Sequence, residues 1–176
     1  MHPDLPQPLP DILAKNLSVI FCGINPGSTA ATAGHHFVSG SNRFWRTLHL
    51  AGFTPHRILP ENDREILDYG CGLTTVVDRP TASASEVARH EFRDASAALE
   101  RKIRRHAPRC IAFLGKGAYS ALSDSRTIPW GPQHTTFGGA AVWVLPNPSG
   151  LNRAFMLDQL VLAYRQFRLA VEPALE

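Results

Sequence analysis

The chain has 176 residues, of which 44% are hydrophobic and 19% are charged, a composition typical of a globular domain with a full hydrophobic core. This composition excludes a wholly disordered chain, and no apolar run approaches the length of a membrane-spanning helix. The net charge is +3 and the positive charge is mostly arginine, which suits bidentate phosphate contacts and mildly favours nucleic acid as a partner.

The first ten residues and the cysteines bear on where in the cell the protein is found. Residues 1–10 contain four prolines and lack the basic and apolar regions of a secretory signal, so we expect them to form a flexible arm. The cysteines Cys22, Cys71 and Cys110 are an odd number without CxxC spacing. They are typical of reduced core residues, and we therefore expect a cytoplasmic protein.

The first informative stretch is an apolar run, residues 19–22, that ends in the sequence Gly-Ile-Asn-Pro-Gly. Such a run predicts a strand buried on both faces that stops at a functional loop. Pro26 restricts Asn25 to extended geometry, and we expect Gly23 and Gly27 to allow a sharp turn close to a ligand. The alternative is an ordinary turn in which the Asn25 side chain bonds its own backbone.

A second loop repeats this pattern near the end of the chain. Residues 141–145 are apolar and run into Pro-Asn-Pro-Ser-Gly-Leu-Asn-Arg, residues 146–153. In open α/β sheets, ligands bind outside the carboxyl ends of the strands, so two such loops are expected to face one crevice. We therefore predict that the loops containing Asn25 and Asn147 form a single site.

The remaining elements alternate between strands and helices. The predicted helices are 42–51, 60–69, 85–106, a short one ending at Leu122, and 154–170; the predicted strands are 72–77, 109–114, 133–137 and 140–145. The last two strands flank Gly138-Gly139, which is a hairpin signal. This alternation predicts an α/β fold in which residues 1–176 form one three-layer domain, with a mostly parallel central sheet and helices on both faces.

Five ordered motifs together carry a family resemblance. They are residues 23–27, Gly-Ile-Asn-Pro-Gly; 34–37, Gly-His-His-Phe; 42–45, Asn-Arg-Phe-Trp; 78–81, Asp-Arg-Pro-Thr; and 147–153, Asn-Pro-Ser-Gly-Leu-Asn-Arg. In this set the chain resembles the mismatch-specific uracil-DNA glycosylases, a family that includes the thymine-DNA glycosylases.

The resemblance implies a uracil-DNA glycosylase-like fold and a monofunctional DNA repair enzyme that works without a cofactor. Its partner would be double-stranded DNA containing a mismatched or damaged pyrimidine, and we expect a monomer acting at the nucleoid. The enzyme would flip uracil, ethenocytosine and thymine out of pairs with guanine and hydrolyse the N-glycosidic bond, leaving an abasic site. The alternative is a non-catalytic module that binds mismatched DNA or nucleotides in the same crevice.

The resemblance also implies roles for the first loop. Asn25 matches the catalytic asparagine, whose side-chain oxygen positions the attacking water, and Phe37 matches the aromatic on which the flipped base stacks. Ile24, Gly27 and Asn147 would shape the base pocket. Because an amide is neutral and a poor general base, slow chemistry is expected.

The second loop is similar to the family's wedge. Leu151 would enter the gap left by the flipped base, as apolar wedges do in distorted duplexes. Gly150, Asn152 and Arg153 would contact the opposite guanine or the DNA backbone.

Three residues depart from what we expect of the uracil-specific relatives. Ala30 stands where some relatives carry serine, and its smaller side chain leaves more room for the methyl group of thymine. Thr75 stands where some carry lysine. Asp94, in the long helix, replaces a small uncharged residue, and it is predicted to be either a solvated acid or an auxiliary catalytic group.

Metal centres are not favoured by the sequence. An iron–sulfur cluster needs four cysteine ligands, and only three cysteines exist. His35-His36 lacks a cysteine or acidic partner at zinc-site spacing, so no metal is expected.

Overall fold

The structure, a computed structural model, describes residues 8–172 and contains a five-stranded sheet with the order β2-β1-β3-β5-β4. The strands are β1 (Val19–Gly23), β2 (Cys71–Thr75), β3 (Cys110–Leu114), β4 (Gly131–Phe137) and β5 (Ala140–Leu145). The first three strands are almost wholly buried, as their continuous apolar runs predict for a sheet covered on both faces.

The sheet is parallel except at one edge. β1 pairs with both β2 and β3, and β3 pairs with β5, all in parallel register. β4 is antiparallel to β5. The two strands are joined by Gly138 and Gly139, whose φ angles of 56° and 85° fit the left-handed turn that suits a tight hairpin. The predicted hairpin and mostly parallel sheet are confirmed.

The helices cover both faces of the sheet and give three layers. They are α1 (Ser28–Ala33), α2 (Phe44–Leu50), α3 (Arg89–His106), α4 (Lys116–Ser123) and α5 (Leu157–Val171). One core contains Phe21 of β1 with side chains of α2 and α5, and the other contains Ile20 with side chains of α3 and α4. Alternate residues of β1 therefore enter opposite cores, as strand geometry requires. The predicted α/β fold is confirmed.

Some predicted boundaries are wrong. The segment Pro60–Tyr69 is a 3₁₀ helix, and the predicted helix at Ser85 is a 3₁₀ turn, Ala84–Glu86, followed by the later start of α3. The helix expected from Ala154 begins at Leu157, and the short helix α1 was not predicted.

The N-terminal arm was predicted for residues 1–10, and residues 1–7 of it lie outside the described residues. Beyond it, Ile12 pairs with Leu73 at the edge of the sheet, and Lys102 forms an ion pair with Asp11 at 2.7 Å. Within residues 8–172, no helix is both long and apolar enough to cross a membrane.

The three cysteines are free and buried. Burial raises the pKa of the Cys71 and Cys110 thiols to about 12, so both thiols stay protonated at neutral pH. They are packing residues of the kind that the sequence predicted.

Candidate active site

A cavity of about 700 Å³ opens at the carboxyl ends of the parallel strands. Its wall is formed by residues 23–30, 36–39, 41–42, 75, 81–84, 114–115, 130, 147 and 149–152. The loops that follow β1 and β5 both contribute to it, as expected for a sheet whose strands end at one edge. The volume falls within the range of about 300–1,000 Å³ that is typical of small-ligand sites.

The Asn25 side chain is held in one orientation. Its Nδ2 donates to the carbonyl oxygen of Arg79 at 2.8 Å and to Oγ1 of Thr81 at 2.8 Å. Since a carbonyl can only accept, the nitrogen must face Arg79, and the orientation of the amide is set by its partners. Asn25 Oδ1 accepts no hydrogen bond from any residue in the range 8–172, so it is a free acceptor on the cavity wall.

Thr81 fixes this arrangement in turn. Its hydroxyl accepts from Asn25 and donates to the carbonyl of Ser83 at 2.7 Å, so its single proton is already used. Thr81 is 5% exposed, and its backbone bonds Pro26 and Ser28 across the loop. Thr81 was predicted only as part of a motif, because its contact with Asn25 joins residues 56 positions apart in the chain.

The Asn25 loop continues the pairing of β1 with β2 beyond the strand ends. Val76 donates to the Gly23 carbonyl at 3.0 Å, and Val77 donates to the Ile24 carbonyl at 3.0 Å. Neither Gly23 nor Gly27 has a positive φ, so the predicted need for glycine flexibility in this turn is wrong. At Gly27 an added Cβ would meet no described atom within 4 Å, so glycine there leaves open space for a ligand.

Phe37 is half-buried, and it forms part of the cavity wall. Its ring stacks on Phe44 of α2 with a centroid distance of 4.1 Å. Its φ of 54° is left-handed, which is uncommon for a residue with a large side chain. The ring is therefore both a packed side chain and a wall of the cavity.

The residue before Phe37 anchors the strained backbone. His36 Nε2 lies 2.7 Å from the carbonyl of Pro10, its amide donates to buried Asp63 at 3.0 Å, and its carbonyl accepts from Trp45 at 3.0 Å. Burial lowers the pKa of the His36 imidazole, so the ring is neutral at neutral pH. Because the Pro10 oxygen only accepts, the proton of the neutral ring lies on Nε2.

The second loop is held by its own side chains. Asn147 Oδ1 accepts from the Ser149 amide at 3.0 Å, and Asn152 Nδ2 donates to the Asn147 carbonyl at 2.9 Å. Asn152 Oδ1 accepts from the Ala154 amide, so both ends of the Asn152 amide are engaged within the loop. Leu151 is 71% exposed at the tip of this loop.

The structure brings most of the predicted site residues to one cavity. Its wall includes Ile24, Asn25, Gly27, Ala30, Phe37, Asn147, Gly150, Leu151 and Asn152. Ala30 belongs to α1 and is 8% exposed.

Two predicted site residues lie outside the cavity wall. Arg153 is exposed in the second loop, and Asp94 is exposed on α3. Glu91, in the first turn of α3, forms an ion pair with the guanidinium of Arg79 at 2.8 Å. The structure thus does not place Asp94 among the groups that surround Asn25.

The cavity wall is electrically neutral. Among the described residues that form it, none is aspartate, glutamate, lysine or arginine, and His36 is the single ionisable side chain. The polar groups that it offers are amides, hydroxyls and backbone dipoles. Such a wall suits a neutral planar ligand rather than a phosphate group.

Trp130 is a wall residue that the sequence did not identify. It is 42% exposed, it contacts Phe155 edge-on at 5.2 Å, and Lys116 lies over its ring at 4.5 Å. Tryptophan is a residue type that can be noticed in a sequence, but only the folded structure shows that Trp130 lies beside the cavity.

Among residues 8–172, no group of three or more His, Cys, Asp or Glu side chains is arranged to hold a metal ion.

Comparison with known proteins assigns the family. The sequence profile of the Uracil DNA glycosylase superfamily matches residues 10–168. The chain belongs to the uracil DNA glycosylase superfamily, whose members are DNA glycosylases. A solution NMR structure of a candidate uracil DNA glycosylase from Methanosarcina acetivorans is similar in fold, with a TM-score of 0.60 and 22% identity over 93% of this chain and 98% of that one.

Proposed function

We propose that this enzyme is a monofunctional, mismatch-directed DNA glycosylase that hydrolyses the N-glycosidic bond of uracil paired with guanine in duplex DNA. The observation that carries the proposal is the fixed orientation of the Asn25 amide in a cavity whose wall bears no charged side chain. A neutral base fits this wall, and the free Oδ1 is an acceptor for the proton of an attacking water.

The chemistry follows from this neutrality. Asn25 Oδ1 orients a water towards the sugar carbon from which the base departs, but the amide cannot take a full proton. The rate then depends on stabilising the departing base anion by fixed dipoles, because such groups need no reorganisation during the reaction. A neutral amide with no carboxylate on the wall is consistent with slow turnover.

A base in a duplex reaches this cavity only after it has left the stack. Flipping costs a few kcal/mol and costs least in a mismatch, which makes a G·U pair a reasonable target. Phe37 offers a flat ring on one wall, and stacking on such a platform is worth about 1–3 kcal/mol per base. The 71% exposure of Leu151 at the loop tip supports its proposed role of filling the gap in the duplex.

Substrate range and context are part of the same proposal. Ala30 on the wall would admit ethenocytosine and the methyl group of thymine. Arg153, exposed beyond Leu151, would contact the opposite strand. Asp94, exposed on α3 and outside the cavity wall, keeps both predicted alternatives, a solvated acid or an auxiliary catalytic group. The expected setting is a monomeric protein that acts at the nucleoid.

The test is incubation of the protein with a duplex containing one G·U pair, followed by alkali cleavage at any abasic site. The parent should produce cleavage at the uracil, whereas Asn25→Ala should lose nearly all excision and keep duplex affinity within about tenfold, since the amide acts on the water and the base. Binding of the G·U duplex without any cleavage would favour the non-catalytic module instead. Near-normal single-turnover excision by Asn25→Ala would remove Asn25 from this role.

A further inference from the structure

Arg43 makes the densest set of side-chain hydrogen bonds near the site. Its Nε and Nη2 donate to the carbonyls of Pro148 and Ser149 at 3.3 and 2.8 Å. Nη2 and Nη1 donate to the carbonyls of Asn152 and Phe155 at 3.0 and 2.6 Å. All four acceptors belong to the loop 148–155, which connects β5 to α5 and bears Leu151 at its tip.

The four hydrogen bonds that the Arg43 guanidinium donates all go to backbone carbonyl oxygens. Within residues 8–172, no carboxylate lies within ion-pair distance of Arg43, so its charge is balanced by backbone dipoles alone. Four of its five N–H groups are engaged, which leaves no pair of donors for a bidentate phosphate contact. The geometry therefore assigns Arg43 to the loop rather than to the DNA backbone.

A second, independent contact fixes the loop on the same side. A Cβ added at Gly150 would lie 2.7 Å from both Cβ and the carbonyl oxygen of Ser41, which is closer than side chains tolerate. The Arg43 amide also donates to the Pro148 carbonyl at 3.0 Å. The loop 148–155 thus packs closely against residues 41–43, which precede α2.

We propose that Arg43 is a positioning residue that holds the loop 148–155 in its DNA-inserting conformation before DNA is bound. This role rests on the proposed function of Leu151 as a wedge. A loop ordered in advance loses less conformational entropy on binding, so the exposed Leu151 can enter the duplex at a smaller cost. Lysine cannot replace Arg43, because one ammonium cannot span four carbonyls.

The experiment compares Arg43→Lys with Arg46→Lys, a matched change at an exposed arginine on the same helix. The probe is a duplex with a stable abasic analogue opposite guanine. We expect Arg43→Lys to weaken binding about tenfold and to speed amide hydrogen exchange in residues 148–155, while Arg46→Lys leaves both unchanged. The salt dependence of binding by Arg43→Gln, which removes the positive charge, should keep its slope, because no phosphate contact is lost.

A double-mutant cycle separates positioning from a general loss of structure. In a Leu151→Ala background, Arg43→Lys should have little further effect on binding, because the loop no longer carries a wedge. Gly150→Ala, which displaces the loop without touching the guanidinium, should reproduce the weakened binding and provides a second variant if Arg43→Lys folds poorly.

Three results would overturn the role of Arg43. They are binding by Arg43→Lys equal to that of Arg46→Lys, a salt slope reduced by about one unit in Arg43→Gln as for a direct phosphate contact, and a full effect of Arg43→Lys in the Leu151→Ala background. Equal binding by the parent and by Leu151→Ala would instead overturn the wedge itself. That failure is visible without any Arg43 variant.

Discussion

The orientation of one amide depends on a threonine that lies 56 positions away along the chain. Thr81→Val removes one of the two acceptors of Asn25 Nδ2 and leaves the Arg79 carbonyl as the other. A net hydrogen bond is worth about 0.5–1.5 kcal/mol, so we expect single-turnover excision to slow by roughly 2- to 10-fold with duplex affinity unchanged.

The matched variant for this prediction is Thr81→Ser, which keeps the hydroxyl between Asn25 and the Ser83 carbonyl. Its excision rate should stay near that of the parent. An excision rate of Thr81→Val equal to the rates of the parent and of Thr81→Ser would contradict this role of the hydroxyl.

Ala30 determines how much room one wall of the cavity leaves. It lies on α1 in the cavity wall with 8% of its surface exposed, so a serine there would add an oxygen atom to the wall that the proposed thymine substrate would contact. We expect Ala30→Ser to slow removal of thymine from G·T more than removal of uracil from G·U. The difference between the two changes in activation free energy should be about 1–3 kcal/mol. Single-turnover rates on the two duplexes measure this difference.

The neighbouring residue provides the control for that substitution. Ala31 is on the same helix but does not line the cavity, so Ala31→Ser should leave the ratio of the two rates unchanged. Equal losses on G·U and G·T with Ala30→Ser would show that the residue affects the fold and not the choice of base.

At the scale of elements, the start of α3 is tied to the active site by one carboxylate. Glu91 accepts from the Ala88 amide at 2.7 Å and from Arg79 at 2.8 and 3.0 Å, and the Arg79 carbonyl in turn holds Asn25. The hydrogen bond from Arg79, with that from Ala88, lowers the pKa of Glu91 from 4.5 to about 2. The contact thus links the helix to the loop that follows β2.

A lowered pKa makes this contribution depend on pH in a defined direction. The stabilisation by Glu91 is complete above its ordinary pKa of 4.5 and is lost as the pH falls towards about 2. Glu91→Gln should therefore lower the free energy of unfolding at about pH 7, and its difference from the parent should shrink in acid. Urea unfolding at several pH values measures this, with Glu100→Gln on the same helix as a control.

The elements show what the sequence can and cannot predict. Continuous apolar runs and the Gly138-Gly139 pair were enough to predict the strands and the hairpin. The start of α3 was predicted too early because two helix starts follow one another: Glu86 bonds the Ser83 amide, and Glu91 bonds the Ala88 amide. Val87, between them, has an extended backbone and a buried side chain. Its burial in the core interrupts the helical periodicity.

The start of α5 has a comparable cause. The periodic pattern of apolar residues begins at Phe155, but the Phe155 carbonyl accepts from Arg43 at 2.6 Å, and the Met156 amide is capped by Gln159 at 2.7 Å. A side chain distant in sequence therefore extends the loop by several residues. Periodicity cannot reveal such a contact.

At the scale of the whole molecule, topology explains why two distant loops share a cavity. β1 and β5 both pair with β3 in parallel, so their carboxyl ends, and with them the Asn25 and Asn147 loops, meet at one edge. The positions of these loops followed from the sequence. The supporting residues Thr81 and Arg43 did not, because each acts through contacts between segments that only the folded sheet brings together.

The neutrality of the cavity wall leads to a prediction for the enzyme as a whole. His36 is the single ionisable side chain among the described wall residues, and burial lowers its pKa from the ordinary value of 6.5. Since His36 stays neutral until the pH falls below that value, the single-turnover rate at saturating enzyme should be constant from about pH 8 to below about pH 6.5. The rate should decline only in more acid solution, where protonation places a positive charge on the buried His36 ring at a cost in desolvation. Comparison with Asp94→Asn completes the test: an acid limb that disappears in this variant would give Asp94 its predicted catalytic role. An acid limb that persists in Asp94→Asn would assign the decline to His36 and its loop, whereas a rate that changes steeply between about pH 7 and pH 8 would contradict a neutral cavity.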